Sequence, residues 1–190
     1  VQIEGLTDIT SISAGETHSI ALDSYGTVYG WGSNANGELS SKYTGKDTSK
    51  PVVISMPRDT IIQISAGKGE SAFVTTNGQV YGMGKILNGY IPGVTNAVKV
   101  EVGTNYLLIL RADGTIYKYQ DGKLSQVSKI KNAIDISVQN NVNMYQSVDE
   151  KAYTWGENIN GQLGLNSTEE VLNPTQVLEN GTNVFRIGAG

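Results

Sequence analysis

The sequence contains no cysteine among its 190 residues, so it has no disulfide, no thiolate metal site and no cysteine nucleophile. This absence does not decide the compartment. No apolar run approaches the roughly 20 residues that a membrane helix needs, and no signal-peptide pattern begins at Val1. We therefore expect no membrane insertion.

Positive charge is scarce, with 14 Lys and Arg against 18 Asp and Glu, and the lysines form no dense cluster. Nonspecific binding to nucleic acid needs clustered Lys and Arg, so we expect no nucleic-acid partner. Lys outnumbers Arg by 11 to 3, and Ser, Thr and Asn are abundant. This composition favours an extracellular or cell-surface protein of a bacterium.

Glycine is plentiful, at 23 residues, and much of it belongs to a repeat. Residues 12–39, ISAGETHSIALDSYGTVYGWGSNANGEL, are the fullest copy of a pattern that recurs along the chain. A triplet of mostly small residues recurs at steps of 52, 36, 36 and 51 residues, ending at positions 15, 67, 103, 139 and 190. A tyrosine recurs at nearly the same steps, at Tyr29, Tyr81, Tyr117 and Tyr153. Two agreeing markers indicate a repeat array.

Each repeat is predicted to contain about four short strands, because apolar runs alternate with turn signals and no helical period is sustained. Units of this length and strand number are typical of β-propeller blades. The sequence therefore predicts one all-β array over residues 1–190, with units at 9–59, 60–96, 97–132 and 133–183 and the start of another at 184–190. Asn77-Gly78 and Asp113-Gly114 predict type I′ hairpin turns, whereas Asp149-Glu150 predicts a different turn.

Two of the repeats carry the motif x-Gly-x-Val-Tyr-x-Trp-Gly, or part of it, followed by Asn-x-x-Gly-x-Leu and a later proline. The chain therefore resembles the regulator-of-chromosome-condensation repeat family, and the resemblance implies a β-propeller, usually of seven blades. The two middle units are 16 residues shorter and lack the second half of the motif, as in the propeller-type β-lactamase inhibitor. The matching positions are Gly15, His18, Ser19, Gly26, Val28, Tyr29, Trp31, Gly32, Asn34, Gly37, Leu39 and Pro51, then Tyr153, Trp155, Gly156, Asn158, Gly161, Gln162, Leu163, Gly164 and Pro174.

About four units are present, and the two ends of the chain fall at the same point of the repeat. The sequence therefore predicts a section of a larger ring: an open arc, or a ring completed by a second copy. Exposed edges and apolar faces on the terminal blades would favour self-association.

Catalytic chemistry has little support in the sequence. His18 is the only histidine, and its equivalents in the other units are Glu70, Tyr106 and Val142. We interpret His18 as a residue that fixes its own blade by hydrogen bonds, since one histidine cannot build a multi-histidine site. No nucleophile elbow, calcium loop or phosphate-binding glycine loop occurs. We expect no enzyme activity, no cofactor and no metal.

Trp31, Met83, Tyr119 and Trp155 share one position of the repeat. They could form an aromatic platform for sugars or peptides, but large side chains on a buried third strand favour packing between blades.

The loops differ from unit to unit on a constant frame, which is typical of binding proteins. Candidate binding residues follow the triplets and the third strands, and Tyr43 and Tyr90 are candidate aromatic anchors. The set is Glu16, Thr17, Lys42, Tyr43, Lys68, Tyr90, Thr104, Asn105, Asp121, Asn140 and Asn141.

The sequence thus favours a non-enzymatic binding or scaffold module for protein–protein or cell-surface recognition. One alternative is an inhibitor of a secreted enzyme such as a β-lactamase. A second, which the resemblance implies, is nucleotide exchange on a small GTPase or chromatin binding.

Overall fold

The computed structural model describes residues 3–40, 42, 44–55, 59–130, 132–177, 184 and 186–189. Within these residues the chain forms four antiparallel sheets of four strands each, and each sheet follows chain order without a crossover. Each sheet is one propeller blade. No helix of the described part is long and apolar enough to cross a membrane.

Every blade begins with an inner strand and ends with an outer strand. Blade 1 contains β1 (Ile9–Ala14), β2 (His18–Asp23), β3 (Val28–Gly32) and β4 (Thr48–Val53), and blade 2 contains β5 (Ile61–Gly67), β6 (Glu70–Thr75), β7 (Val80–Gly84) and β8 (Gly89–Tyr90). Blade 3 contains β9 (Ala97–Val102), β10 (Leu107–Arg111), β11 (Ile116–Gln120) and β12 (Lys123–Gln126). Blade 4 contains β13 (Ala133–Gln139), β14 (Val142–Ser147), β15 (Ala152–Gly156) and β16 (Val171–Gln176).

The hydrophobic core is divided into three layers, each lying between two neighbouring blades. Phe73 and Met83 of blade 2 pack in the same cluster as Ile20 of blade 1. Tyr119 lies between blades 2 and 3, and Trp155 lies between blades 3 and 4. The prediction that the aromatic position of the repeat packs between blades is therefore confirmed for Met83, Tyr119 and Trp155. Burial of these faces is the main force that holds the blades together.

The first blade leaves one face open. Ile12 is 77% exposed, whereas its equivalent Ile64 in blade 2 is 4% exposed, because Ile64 faces blade 1. Trp31, at the position of Met83, is only half-buried. Blade 1 thus exposes residues whose equivalents in a later blade are buried against the preceding blade.

The β2–β3 hairpin and its equivalents correct the type I′ prediction. Gly78 N donates to Thr75 O at 2.9 Å, and Gly78 has a φ of 69°. Asn77 and Asp113 are absent from the positive-φ residues, although a type I′ turn would require positive φ at both central positions. The loop is instead a three-residue hairpin, in which a type I turn is followed by a left-handed residue.

The prediction of a different turn at Asp149-Glu150 is also wrong. Glu150 N donates to Ser147 O at 3.0 Å, as Gly78 N does to Thr75 O, and Glu150 has a φ of 60°. A glutamate therefore holds the left-handed position that glycine holds in the other three blades, at a cost on the order of 1 kcal/mol.

The chain also continues the inner ring beyond blade 4. Val184 N donates to Glu150 O at 2.8 Å, just as Ala133 N donates to Gly114 O at 3.1 Å between blades 3 and 4. Ala189 N donates to Ser137 Oγ at 2.8 Å. The described residues among 184–189 thus take the place of a further inner strand against blade 4.

Candidate binding face

The loops that could bind a partner lie at two ends of the blades, because the strands of each meander alternate in direction. We call the upper face the end at which the inner strands finish. It consists of the loops 15–17, 33–47, 68–69, 85–88, 103–106, 121–122, 140–141 and 157–170. The lower face carries the β2–β3 hairpin, its equivalents in the other three blades and the connections between blades.

The centre of the upper face is a cleft of about 370 Å³, lined by the ends of all four inner strands. Serines of the repeated triplet link neighbouring blades at its wall. Ala66 N donates to Ser13 Oγ at 2.9 Å, and Val102 N donates to Ser65 Oγ at 3.1 Å. A serine fits here because its short side chain reaches the next backbone amide without crowding the cleft.

Glu101 occupies the serine position in blade 3 and changes this pattern. Ser65 Oγ donates to Glu101 Oε2 at 3.0 Å, and Lys99 Nζ lies 3.1 Å from Glu101 Oε1 and 2.7 Å from Asp135 Oδ1. Burial raises the pKa of Glu101, although Lys99 opposes this shift. Burial alone would lower the pKa of Lys99, but Asp135 and Glu101 raise it. The network links blades 2, 3 and 4 beneath the cleft.

The upper-face loops are braced across blade boundaries. Thr104 N donates to Asn140 O at 3.0 Å, and Lys85 Nζ donates to Asn105 Oδ1 at 2.9 Å. Glu16 and Lys68 form an exposed ion pair at 3.4 Å, which adds little stability on its own.

The structure brings most of the predicted binding residues together on the upper face. Asn141 Nδ2 donates to Glu157 Oε2 at 3.3 Å in blade 4, and Asp121 lies exposed in the turn after β11. Tyr43 lies outside the described residues. Those placed on the upper face are Glu16, Thr17, Lys42, Lys68, Thr104, Asn105, Asp121, Asn140 and Asn141.

Tyr90 does not belong to this face, which corrects its prediction as a loop anchor. It lies in β8, its ring packs edge-on against Tyr81 with centroids 4.9 Å apart, and its hydroxyl donates to Asp59 Oδ2 at 2.8 Å. Burial and the neighbouring Asp59 raise its pKa to about 12. The shortened loop of blade 2 moves this residue into a strand, where it joins the connection between blades 1 and 2.

His18 links two blades rather than fixing its own. His18 Nε2 shares a hydrogen bond of 2.9 Å with Ser71 Oγ of blade 2. At the equivalent place in blade 3, Tyr106 OH donates to Asn143 Oδ1 of blade 4 at 2.6 Å. The position therefore has one role in two blades, although the residue types differ.

The same rings explain the glycine of the triplet. A Cβ on Gly15 would lie 2.6 Å from His18 Cε1, and one on Gly103 would lie 2.5 Å from Tyr106 Cζ. In blade 4 the ring is replaced by Val142, and Gln139 stands in place of the glycine. The smaller neighbour accounts for the departure at Gln139.

Two acidic residues that sequence reasoning missed lie under the upper face. Glu38 and Glu70 are both 0% exposed. Glu38 Oε2 accepts from Asn36 N at 2.7 Å, as Gln162 Oε1 accepts from Asn160 N at 2.8 Å in blade 4. The available signal for Glu38 in the sequence was that it occupies the repeat position that Gln162 holds in blade 4. Glu70 was recognised in the sequence only as the equivalent of His18, and its acidic side chain at that position was the available signal.

Asparagines shape the two long loops. Asn34 Oδ1 accepts from Leu39 N, and Asn158 Oδ1 accepts from Leu163 N, both at 2.9 Å. Each asparagine is buried, so its amide replaces the backbone partners that a loop lacks. The motif Asn-x-x-Gly-x-Leu therefore encodes loop shape.

In the part of the chain that the structure describes, neither the cleft nor the loops form a recognisable catalytic or metal site. Burial lowers the pKa of His18, although the Glu38 carboxylate opposes this, and the imidazole is hydrogen-bonded to Ser71. Within the described residues, no group of three His, Cys, Asp or Glu side chains could hold a metal ion. What the upper face offers is a set of polar loops on a braced frame.

Comparisons with known proteins identify the repeat. Residues 9–38 match one model of the regulator of chromosome condensation (RCC1) repeat, and residues 25–74 and 149–190 match another. The chain is 43% identical to an RCC1 domain-containing protein of Dictyostelium discoideum over 84 residues, which cover 44% of this chain and 12% of that protein.

Two solved structures share the fold. Human WBSCR16 superposes with a TM-score of 0.82 at 17% identity, over 90% of this chain and 53% of that one. Prp20p of Saccharomyces cerevisiae superposes with a TM-score of 0.75 at 20% identity, over 95% of this chain and 53% of that one. The chain thus spans about half the length of each solved structure.

Proposed function

Because the chain belongs to the regulator of chromosome condensation repeat family, we propose that it is a non-enzymatic module that binds a protein partner on its upper face. The observation that carries this proposal is the gathering of differing loops from four blades on one braced surface. Bonds between blades, such as Thr104 N to Asn140 O, hold the loops in place before binding. A preformed surface loses little conformational entropy when it docks.

The charge of the upper face indicates the chemistry of the partner. The loops of blades 3 and 4 carry four carboxylates and neither Lys nor Arg, whereas the loops of blades 1 and 2 carry four lysines. Blades 1 and 2 also contribute Glu16, Asp47 and the buried Glu38. The carboxylates are Asp121, Glu157, Glu169 and Glu170, and the lysines are Lys42, Lys46, Lys68 and Lys85. A complementary partner would be basic opposite blades 3 and 4 and acidic opposite blades 1 and 2.

A capture experiment with matched charge reversals tests this face. Wild-type protein, an upper-face variant (Lys68→Glu with Lys85→Glu) and a lower-face variant (Lys129→Glu with Lys151→Glu) are immobilised and exposed to a bacterial cell-surface extract. We expect a protein that the wild type and the lower-face variant retain and the upper-face variant loses, with binding that weakens as salt rises. Equal retention by all three variants would refute the upper face as the docking site.

The proposed setting is the outside of a bacterial cell, a proposal that rests on composition alone. A second candidate function is nucleotide exchange on a small GTPase, favoured by the similarity to Prp20p, a protein that binds Gsp1p and histones. Addition of the chain to a GTPase loaded with fluorescent nucleotide tests this function directly. Accelerated nucleotide release would favour it over simple docking.

Self-association is a further proposed property of the chain. The open face of blade 1 exposes Ile12, together with Val53 at 60% exposure. Apolar surface of this kind favours contact with another blade. Sedimentation of the wild type beside Ile12→Lys tests the property: self-association that depends on concentration and is lost in the variant supports it, and a monomeric wild type rules it out.

A further inference from the structure

Three buried side-chain atoms of the described residues lack a hydrogen-bond partner, and all three lie in blades 1 and 2. They are His18 Nδ1, Glu38 Oε1 and Glu70 Oε1. Buried polar atoms are usually paired, so three exceptions in two neighbouring blades call for a common explanation. Glu70 is 0% exposed.

Glu70 occupies the position from which His18 and Tyr106 reach the next blade. Those two residues form hydrogen bonds with Ser71 and Asn143. The residue of blade 3 that corresponds to Ser71 and Asn143 is Leu107, whose side chain forms no hydrogen bond. The carboxyl of Glu70 therefore has only a local partner: Oε2 accepts from Ile86 N at 2.7 Å, and Oε1 has none. Ile86 belongs to the upper-face loop 85–88.

The space around this carboxyl is closed. A Cβ on Gly82 would lie 2.8 Å from Glu70 Oε1, and one on Gly84 would lie 2.7 Å from Glu70 Oε2. Leu87 Cβ would lie 3.0 Å from the same added atom on Gly82. Glycines at these two positions make room for the carboxyl, and Leu87 covers it. With loop 85–88 in this position, Glu70 is 0% exposed and water does not reach its carboxyl.

Among the residues that the structure describes, no cation compensates the carboxylate. Glu38, from the loop of blade 1, is the charged residue that acts on Glu70, and it is also acidic. Lys85 lies beside Ile86 in sequence, but it is exposed and its Nζ donates to Asn105. Lys68 of the adjoining loop is paired with Glu16, and His18 lies across the blade boundary beside Ser71. The strand β7 contributes only Gly82 and Gly84 around the carboxyl.

The two effects on the carboxyl act in the same direction. Burial and the negative charge of Glu38 raise the pKa of Glu70 to about 8, while the backbone amides of Ile86 and Leu87 partly oppose the shift. A carboxyl in water has a pKa near 4.3. A closed loop therefore holds a proton that an open loop releases.

We propose that Glu70 is a proton-binding site that controls the closure of loop 85–88, and through it the shape of the upper face. The closed loop is favoured when Glu70 is protonated. Above the ordinary pKa of glutamate, opening becomes more favourable by up to about tenfold per pH unit, until the closed-state pKa is reached. The effect on partner binding rests on the proposed function, whereas the proton site itself does not.

The proton site is tested on the chain alone by NMR. The side-chain carboxyl carbon of Glu70 should titrate with a midpoint near 8. Amide hydrogen exchange at Ile86, corrected for intrinsic rates, should report an opening constant that rises with pH from 5 to 8.

Variants separate the proton site from simple packing. In Glu70→Gln, which mimics the protonated acid, the opening constant at Ile86 should be independent of pH. In Glu38→Gln the rise should persist with a lower midpoint, and in the control Glu4→Gln it should match the wild type. A Glu70 midpoint below 6, or an unchanged rise in Glu70→Gln, would overturn the proposal. If Glu70→Gln does not fold, the carbon titration of the wild type decides alone.

The outcomes also separate this proposal from the proposed function. A shifted titration of Glu70 with no partner on the upper face would refute the docking surface and leave the proton site. An ordinary titration with an intact docking surface would refute the proton site alone.

Discussion

The boundary between blades 1 and 2 differs from the boundary between blades 3 and 4, although the same repeat builds both. Each has one hydrogen bond at the equivalent place, from His18 to Ser71 and from Tyr106 to Asn143. Two of the three unpartnered buried polar atoms, His18 Nδ1 and Glu38 Oε1, lie in blade 1, and the third, Glu70 Oε1, lies in blade 2. The described residues of blades 3 and 4 contain none.

The second boundary is aromatic and also has a cation. Tyr145 stacks on Tyr153 with centroids 4.5 Å apart, and Lys118 Nζ lies 4.2 Å above the ring of Tyr106. Burial lowers the pKa of Lys118, while Asp121 and Glu170 oppose the shift. The comparison teaches that the repeat fixes where blades meet, while the residues placed there decide whether a boundary is inert or sensitive to protons.

The largest effect is expected from Tyr145→Ala in the aromatic boundary. Tyr145 is fully buried, and removing its ring leaves a cavity beside Tyr153 and Trp155. We expect a loss of about 3 to 5 kcal/mol in the free energy of unfolding, measured by urea denaturation. Tyr25→Ala is the control, because Tyr25 is 76% exposed and should change stability by less than about 0.5 kcal/mol. Similar losses in both would contradict the assignment of the core.

The next effect concerns pH and arises from Glu70 in blade 2. The pKa of Glu70 is raised in the folded chain, so the folded state retains a proton that the unfolded state loses near its ordinary pKa. Its contribution to stability is complete below about pH 4 and is lost as pH rises towards 8. Between pH 5 and pH 8, the free energy of unfolding of the wild type should fall by a few kcal/mol for this reason. We expect Glu70→Gln to lack this fall.

Denaturant unfolding at these two pH values, with Glu4→Gln as the control, measures that decline. If the wild type and Glu70→Gln show the same pH dependence, Glu70 does not make the stability of the fold depend on pH.

A smaller loss is expected from Tyr106→Phe, which keeps the ring and removes the bond to Asn143. The buried Asn143 Oδ1 would then lack its donor, at a cost of about 1 to 3 kcal/mol. Asn143→Ala in the same background should cost less than Asn143→Ala alone, because the partner is already gone. A double-mutant cycle measures this coupling, and additive losses would show that the bond contributes nothing.

The smallest effect distinguishes two glycines in the hairpins that precede these boundaries. Gly26 and Gly114 have φ values of 84° and 77°, so alanine is strained at both. A Cβ on Gly26 would also lie 2.4 Å from Thr60 Cγ2, whereas on Gly114 the nearest atom would lie 3.2 Å away. We expect Gly26→Ala to cost about 1 kcal/mol more than Gly114→Ala in thermal unfolding. Equal costs would show that backbone strain alone decides.

The sequence predicted the repeat and its strands because two markers, the triplet and Tyr29 with its equivalents, fix the register independently. It did not predict the hairpin type, since Asn77-Gly78 occurs both in type I′ turns and in the three-residue hairpin observed here. The loop length and the φ of Asn77 decide between them, and neither is visible in composition.

The sequence placed most of the candidate residues in loops, and the fold then gathered those loops on one face. The sequence did not reveal the hydrogen bond between His18 and Ser71. We compared residues at the same repeat position, whereas Ser71 lies one position after Glu70, the equivalent of His18 in the next unit. We also treated Tyr90 as a loop residue, since nothing local shows that a two-residue strand replaces the loop there.

Carbonyls of the hairpins in blades 2 and 3 accept from the next inner strand, which has a consequence for cooperativity. Gly78 O accepts from Ala97 N, and Gly114 O accepts from Ala133 N, so blade 3 is tied to blade 2 and to blade 4. Unfolding in such a chain is a nearest-neighbour process. Opening of blade 3 should therefore weaken both blade 2 and blade 4.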